Sequence, residues 1–113
     1  MAQQTFEELY DQVYNRKVNP AEGSYTAYLY EKGLDKILKK VGEESTEVII
    51  GAKNSKEELT YETADLLFHL MVLLANQGIT IDDLKTEMGT RVGQKSRLHE
   101  RQDWRSGAIE ETK

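Results

Sequence analysis

Ten consecutive residues, Leu66-Leu67-Phe68-His69-Leu70-Met71-Val72-Leu73-Leu74-Ala75, are apolar but for one histidine, and they follow directly on Glu62-Thr63-Ala64-Asp65. A helix that is apolar around its whole circumference has to be covered on every side. The run is about half the ~20 residues that a membrane-spanning helix needs, so it predicts a buried core helix. The acidic pair at its mouth adds a second constraint. Carboxylates three or four apart share one face of a helix, and carrying them into an apolar segment is costly unless a cation neutralises them.

The rest of the chain reads all-α. Proline occurs once, at Pro20, and alternation of β-branched residues is nearly absent. Thr5-Phe6-Glu7-Glu8 is a capping-box pattern, and Phe6, Leu9, Tyr10, Val13 and Tyr14 follow it at the spacing of an amphipathic helix. Asn15 to Gly23 reads as a loop. A short helix is expected over Ser24 to Lys32, offering Tyr25, Tyr28 and Leu29 to the core and stopping near Gly33. Leu34, Ile37, Leu38, Val41, Val48, Ile49 and Ala52 then fall within one arc at about 100° per residue, although Gly42 and Gly51 weaken the expectation of a straight helix. Ser55-Lys56-Glu57-Glu58 reads as a second capping box, opening the helix that Gly78 ends. Thr80-Ile81-Asp82-Asp83 caps a further helix with Ile81, Leu84, Met88 and Val92 on its apolar stripe. After Arg97 the pattern decays, and 98–113 reads as a loosely ordered tail.

A chain of 113 residues suits one domain, 1–113. Three or four helices of this length cannot wrap 66–75 completely. The expectation is therefore a bundle of four to five helices completed by homodimerisation, most simply about a twofold axis; the alternative is a monomer that buries the same face less completely. The absence of cysteine fits a reducing compartment, and Met1-Ala2-Gln3-Gln4-Thr5 carries no basic and apolar signal-peptide pattern, which together point to a cytoplasmic protein with no membrane partner. Net charge is −5, from 20 acidic and 15 basic side chains. Nonspecific nucleic-acid binding, which relies on counterion release by basic patches, is excluded as a main role. An acidic protein that handles phosphates needs metal ions to bridge like charges.

Glu44 and Glu47 lie at the edge of the apolar arc of the helix that begins at Leu34, with Glu43 further out in a stripe shared with Lys36 and Lys40. On the next helix Glu58, Glu62, Asp65 and His69 form a polar stripe that runs into the apolar segment. If the two helices pack antiparallel, Glu44/Glu47 face Glu62/Asp65 and offer four hard oxygens, a donor set that selects Mg²⁺ or Mn²⁺. The competing reading is a solvated face of alternating Lys and Glu. Lys N-terminal to Glu is the weaker order for helix pairing, and Glu62 and Asp65 have no basic residue within a turn. Spacing alone leaves both readings open.

Glu43-Glu44-x-x-Glu47, fourteen residues, then Glu62-x-x-Asp65 resembles the EExxE…ExxD signature of the all-α, MazG-like nucleotide pyrophosphatases. More closely, Lys39-Lys40-Val41-Gly42-Glu43-Glu44, Glu47-Val48-Ile49, Ala52-Lys53-Asn54 and Glu62 through Leu70 resemble the phosphoribosyl-ATP pyrophosphatase family of histidine biosynthesis. The resemblance runs from about Ser24 to Gly78. It implies hydrolysis of phosphoribosyl-ATP to phosphoribosyl-AMP and pyrophosphate, with Glu44, Glu47, Glu62 and Asp65 as direct ligands of Mg²⁺, Mn²⁺ being possible. Glu43 is then placed to orient the attacking water or hold a second ion, which makes Glu43, Glu44 and Glu47 the candidate catalytic residues.

Lys36 and Lys40 flank this face and could meet the triphosphate, Lys40 foremost, while Lys53 reads as an ordinary surface lysine. Arg91, Lys95, Arg97, Arg101 and Arg105 make the C-terminal segment locally basic, as a solvated tail or a flap over phosphates. His69 is either a hydrogen-bonding partner of a ligating carboxylate or a satisfied core histidine. Trp104, Tyr25 and Tyr28 could stack on a base, with core packing the more natural role for the tyrosines. Two further readings compete: a house-cleaning pyrophosphatase acting on ordinary or non-canonical nucleoside triphosphates, and a non-enzymatic helical dimerisation module.

Overall fold

Two 21-residue helices joined by the single residue Ser55, α3 (Leu34–Asn54) and α4 (Lys56–Asn76), form the spine of the molecule. The computed structural model describes residues 1–93. The expected tail at 98–113, the basic positions from Lys95 to Arg105 and Trp104 lie outside the described residues. Against the α3–α4 hairpin pack α1 (Phe6–Val18) and α2 (Tyr25–Lys32), and α5 (Ile81–Gly89) folds back onto α1. The described chain is therefore all-α, with five helices and no strand.

Ser55 closes the hairpin because it is the C-cap of one helix and the N-cap of the next, in extended conformation, with its hydroxyl accepting from Glu58 N–H at 3.0 Å. The expected reciprocal half of this capping box is absent. Asn54 Nδ2 instead holds both carboxylate oxygens of Glu58, at 3.1 and 3.0 Å, so the Glu58 side chain turns back toward α3. Complete boxes do form at Thr5–Glu8 and Thr80–Asp83.

The hairpin is antiparallel: Gly51 meets Glu58, and one step back along α3 and forward along α4, Glu44 meets Asp65. At Gly51 a Cβ would lie 3.3 Å from the backbone of Glu58 and Leu59. The glycine thus lets the first turn of α4 approach α3 closely. Both Gly42 and Gly51 sit within an unbroken helix.

The apolar arc read from the sequence of α3 is wider than the surface that is buried. Ile37, Glu44 and Gly51 are the buried residues of this helix, seven apart, whereas Leu34, Leu38 and Ile49 are exposed. A single helix packing along α4 covers a narrow seam of near-heptad period, not a broad stripe. Glu44 therefore lies in the seam, not at its edge.

The core joins Tyr10 and Val13 of α1, Leu29 of α2, Ile37 of α3, Met71, Val72 and Ala75 of α4, and Ile81 at the start of α5. Three hydrogen bonds tie loops and helix ends to it. Tyr10 Oη donates to Ile79 O at 2.8 Å, Tyr30 Oη to Val13 O at 2.9 Å, and Lys17 Nζ to Ala75 O at 2.8 Å, a cation placed on a helix C-terminus.

Four expectations change. α1 runs to Val18 and shortens the expected loop, ending where Pro20 forces Asn19 out of the helical region. Phe6 and Tyr14 of its stripe are exposed. Tyr25 and Tyr28 are exposed at 45% and 39%, so only Leu29 of the α2 trio is core. Leu84, Met88 and Val92 stand in solvent because α5 touches the bundle mainly through its first turn, bent 103° from α4.

The apolar run is incompletely covered within one chain. His69, Met71, Val72 and Ala75 are buried, while Leu66, Leu67, Phe68, Leu70, Leu73 and Leu74 are half-buried. No single helix among the described residues is long and apolar enough to cross a membrane.

Candidate metal centre

Halfway along the α3–α4 seam, Glu44, Asp65 and His69 bring ligand atoms within 4.8 Å of one another. Glu44 is 8% exposed, and Asp65 and His69 reach it from successive turns of α4. The heptad-like register of the hairpin produces this cluster. The seam that needs Gly51 at one level presents a carboxylate from each helix at the next.

Electrostatics mark the same place. Burial first, and then the hydrogen bond and charge of Asp65, push the Glu44 carboxyl above its ordinary value of 4.5, with Lys40 opposing and Glu62 adding to the rise. Desolvation, then the charges of Glu47, Asp65 and Glu58, raise the Glu62 carboxyl, with a hydrogen bond to Glu44 opposing. Glu47 is exposed on the outer side of α3 and joins the cluster through Glu62. Burial and acidic neighbours thus disfavour the ionised forms of Glu44 and Glu62, a condition a bound cation reverses.

The nearest cation is Lys40, 3.2 Å from Glu43 and 3.7 Å from Glu44. The hydrogen bond to Glu43 comes first among the causes that raise the lysine above its ordinary range. Glu43 is exposed, and its bond to Lys40 holds its carboxyl below 4.5. The structure therefore brings together Glu44, Glu62 and Asp65, sets Glu47 at their rim, and turns Glu43 aside onto Lys40. Lys36 lies with Nζ 6.0 Å from the Tyr28 ring centroid and has no ion pair among the described residues.

His69 is 2% exposed and fully satisfied. Its Nδ1 lies 2.8 Å from the backbone oxygen of Asp65 and 3.4 Å from Asp65 Oδ1, and its Nε2 lies 3.0 Å from Tyr25 Oη. Both ring nitrogens are engaged, so the histidine braces a carboxylate rather than offering a lone pair to an ion. The donor set is then carboxylate oxygen alone, which fits Mg²⁺ or Mn²⁺.

Tyr25 is the residue that sequence reasoning assigned to the wrong place. The signal that points to it is indirect: a histidine inside an apolar run requires a partner for each nitrogen, and one of the two lies on another helix. Tyr25 also lines a groove of about 940 Å³ with Arg16, Lys17, Ser24, Tyr28 and Tyr30.

A family profile described as phosphoribosyl-ATP pyrophosphohydrolase matches residues 6–91. The chain is 71% identical over 105 residues to the phosphoribosyl-ATP pyrophosphatase of Leuconostoc mesenteroides, covering 93% of this chain and 92% of that protein. It is 64% identical over 99 residues to the phosphoribosyl-ATP pyrophosphatase of Limosilactobacillus fermentum, covering 87% and 93%. It is also 60% identical over 84 residues to the histidine biosynthesis bifunctional protein HisIE of Caldanaerobacter subterraneus, covering 74% of this chain and 41% of that longer protein.

Proposed function

This chain belongs to the phosphoribosyl-ATP pyrophosphohydrolase family, and from that premise we propose that it hydrolyses phosphoribosyl-ATP to phosphoribosyl-AMP and pyrophosphate, the second step of histidine biosynthesis, with Mg²⁺ held by Glu44, Glu47, Glu62 and Asp65. The observation that carries the reading is the meeting of Glu44 and Asp65 in the hairpin seam, inside the region that matches the family. A buried carboxylate raised by an acidic neighbour, as Glu44 is, gains most from a divalent cation.

Water attacks the α-phosphorus, the bond from that phosphorus to the bridging oxygen breaks, and pyrophosphate leaves. When bound, Mg²⁺ makes water more acidic and neutralises charge gathering on the phosphate oxygens. The residues do the rest. Glu44 and Asp65 would supply oxygens from the two sides of the seam, and Glu62 and Glu47 from its solvent edge. Lys40 holds Glu43 aside at 3.2 Å. A substrate phosphate that drew Lys40 away would free Glu43 to orient the water or meet a second ion. Lys36, beside Tyr28 and without an ion pair among the described residues, is available to a second phosphate. The exposed Tyr25–Tyr28 stack, with centroids 6.2 Å apart, gives the nucleotide base a surface next to the carboxylates.

The half-buried leucines of α4 and the exposed Leu38, Ile49, Ile50 and Tyr61 support a homodimer that covers this face. In solution the protein is then expected at twice its chain mass of 13.0 kDa. A biosynthetic role of this kind supports a cytoplasmic location.

The test is pyrophosphate release from phosphoribosyl-ATP with and without Mg²⁺, beside a panel of ordinary nucleoside triphosphates. Metal-dependent release from phosphoribosyl-ATP alone supports both site and substrate. Release from the panel instead keeps the metal centre and favours the house-cleaning reading. Release that persists in chelator removes the metal from the mechanism.

A further inference from the structure

Nδ1 of His69 faces two oxygens that can only accept, the backbone carbonyl of Asp65 at 2.8 Å and its carboxylate Oδ1 at 3.4 Å. In the neutral imidazole the hydrogen therefore sits on Nδ1, and Nε2 is left as an acceptor. The hydroxyl of Tyr25, 3.0 Å away, fills that acceptor by donating to it. We propose that Tyr25 is a positioning residue: by donating to His69 Nε2 it fixes the orientation of the imidazole whose Nδ1–H points at Asp65, and so helps aim the Asp65 carboxylate across the seam at Glu44. The inference rests on the reading of Glu44 and Asp65 as metal ligands and extends it to a residue on a different helix.

Three features make Tyr25 a lock rather than an incidental neighbour. Its own position is set by the helix start, since Ser24 Oγ accepts from Ala27 N–H at 3.1 Å and fixes the first turn of α2. The imidazole has little freedom to choose another partner, being held edge-on to Tyr25 at 5.7 Å and to Phe68 at 5.0 Å between centroids. Loss of the hydroxyl alone, with the ring kept, leaves the buried Nε2 without a donor. The imidazole then has no partner on that side to hold its orientation, and the Asp65 carboxylate loses a fixed Nδ1–H beside it. Partners of this kind typically affect metal affinity by about 10- to 100-fold.

The experiment is Mn²⁺ binding to the substrate-free protein, read by calorimetry and by the electron paramagnetic resonance of the free ion, for the wild type, Tyr25→Phe and Tyr30→Phe. Tyr30 also spends its hydroxyl on a single hydrogen bond, to Val13 O, away from the carboxylates, so Tyr30→Phe reports what losing such a bond does by itself. The expected result is about tenfold weaker Mn²⁺ binding in Tyr25→Phe and unchanged binding in Tyr30→Phe. Turnover by Tyr25→Phe should then require about tenfold more Mg²⁺ for half-maximal rate. Equal affinity in Tyr25→Phe and wild type overturns the proposal, as does equal weakening by both variants, which would mark a general loosening of the bundle. No Mn²⁺ binding by the wild type sinks the metal centre itself, and with it the role of Tyr25.

Discussion

The two halves of α4 are built on opposite logics. From Lys56 to Asp65 the helix is half-buried or exposed and carries Glu58, held by Asn54, and then Glu62 and Asp65, which meet the acids Glu44 and Glu47 across the seam. From Leu66 onward it packs Met71, Val72 and Ala75 against α1, α2 and α3 with no charged residue among the buried set. His69 stands where the two halves meet, with its ring in the core and its Nδ1 on Asp65. One helix thus joins a well-packed anchor to a cluster of mutually repelling charges. The anchor supplies the rigidity that keeps the charges together, as a preorganised cation site requires.

The largest effect should come from the acidic half. Asp65→Asn or Glu44→Gln is expected to lower pyrophosphate release by on the order of 10³-fold while far-ultraviolet circular dichroism stays unchanged. Near-normal rates in either variant would remove the seam from the chemistry. Against the apolar half, Leu29→Ala deletes a fully buried α2 side chain of the core that this half joins and should cost about 2–5 kcal/mol, seen in thermal melts as a drop of roughly 10 °C or more. A melt close to that of the wild type would mean that the core half is not the anchor. Gly51→Ala puts a methyl against the backbone of α4 at 3.3 Å. The helices must move apart, which should cost about 1–3 kcal/mol and weaken Mn²⁺ binding at the next level of the seam. Wild-type stability with wild-type binding would show that the register tolerates the wider spacing.

The smallest effect runs the other way and is the sharpest test of the contrast. Glu44 holds its proton more tightly folded than unfolded, so the folded state binds more protons as pH rises above the ordinary carboxylate value of 4.5. This contribution is favourable below that value and is lost as pH climbs through the raised folded pKa. Metal-free Glu44→Gln should therefore be more stable than the wild type at neutral pH by on the order of 1 kcal/mol. The advantage should shrink on acidification and reverse its sense when Mg²⁺ is added. A variant that is less stable than the metal-free wild type at neutral pH would argue that Glu44 is comfortable where it lies and needs no cation.

Much of the architecture was legible because its causes are local. Thr5, Ser55 and Thr80 cap the helices their patterns announce, and Ser24, read as the first helical residue, caps α2; a capping oxygen reaches only three residues along the chain. The facing of Glu44 with Asp65 followed from a one-residue connection between two long helices. The breadth of the buried face of α3 was not legible in this way. Periodicity reports which residues could be covered, and the exposed Leu34, Leu38 and Ile49 show that one neighbouring helix covers fewer. Tyr25 failed the same test from the other side: its stripe position suggested core, but it is 45% exposed, with one side of its ring against Phe68 and His69 and its hydroxyl on His69.

By itself the sequence determined the helices, their caps, the apolar half of α4 and the carboxylates that precede it, since each depends on neighbours within a turn or two. Only the tertiary structure decided that Glu44 enters the seam while Glu43 turns out to Lys40, and that a tyrosine 44 residues from His69 completes it. The physical reason is that burial and hydrogen-bond partnership belong to pairs of surfaces. A helix carries one surface in its own sequence, and the fold supplies the other.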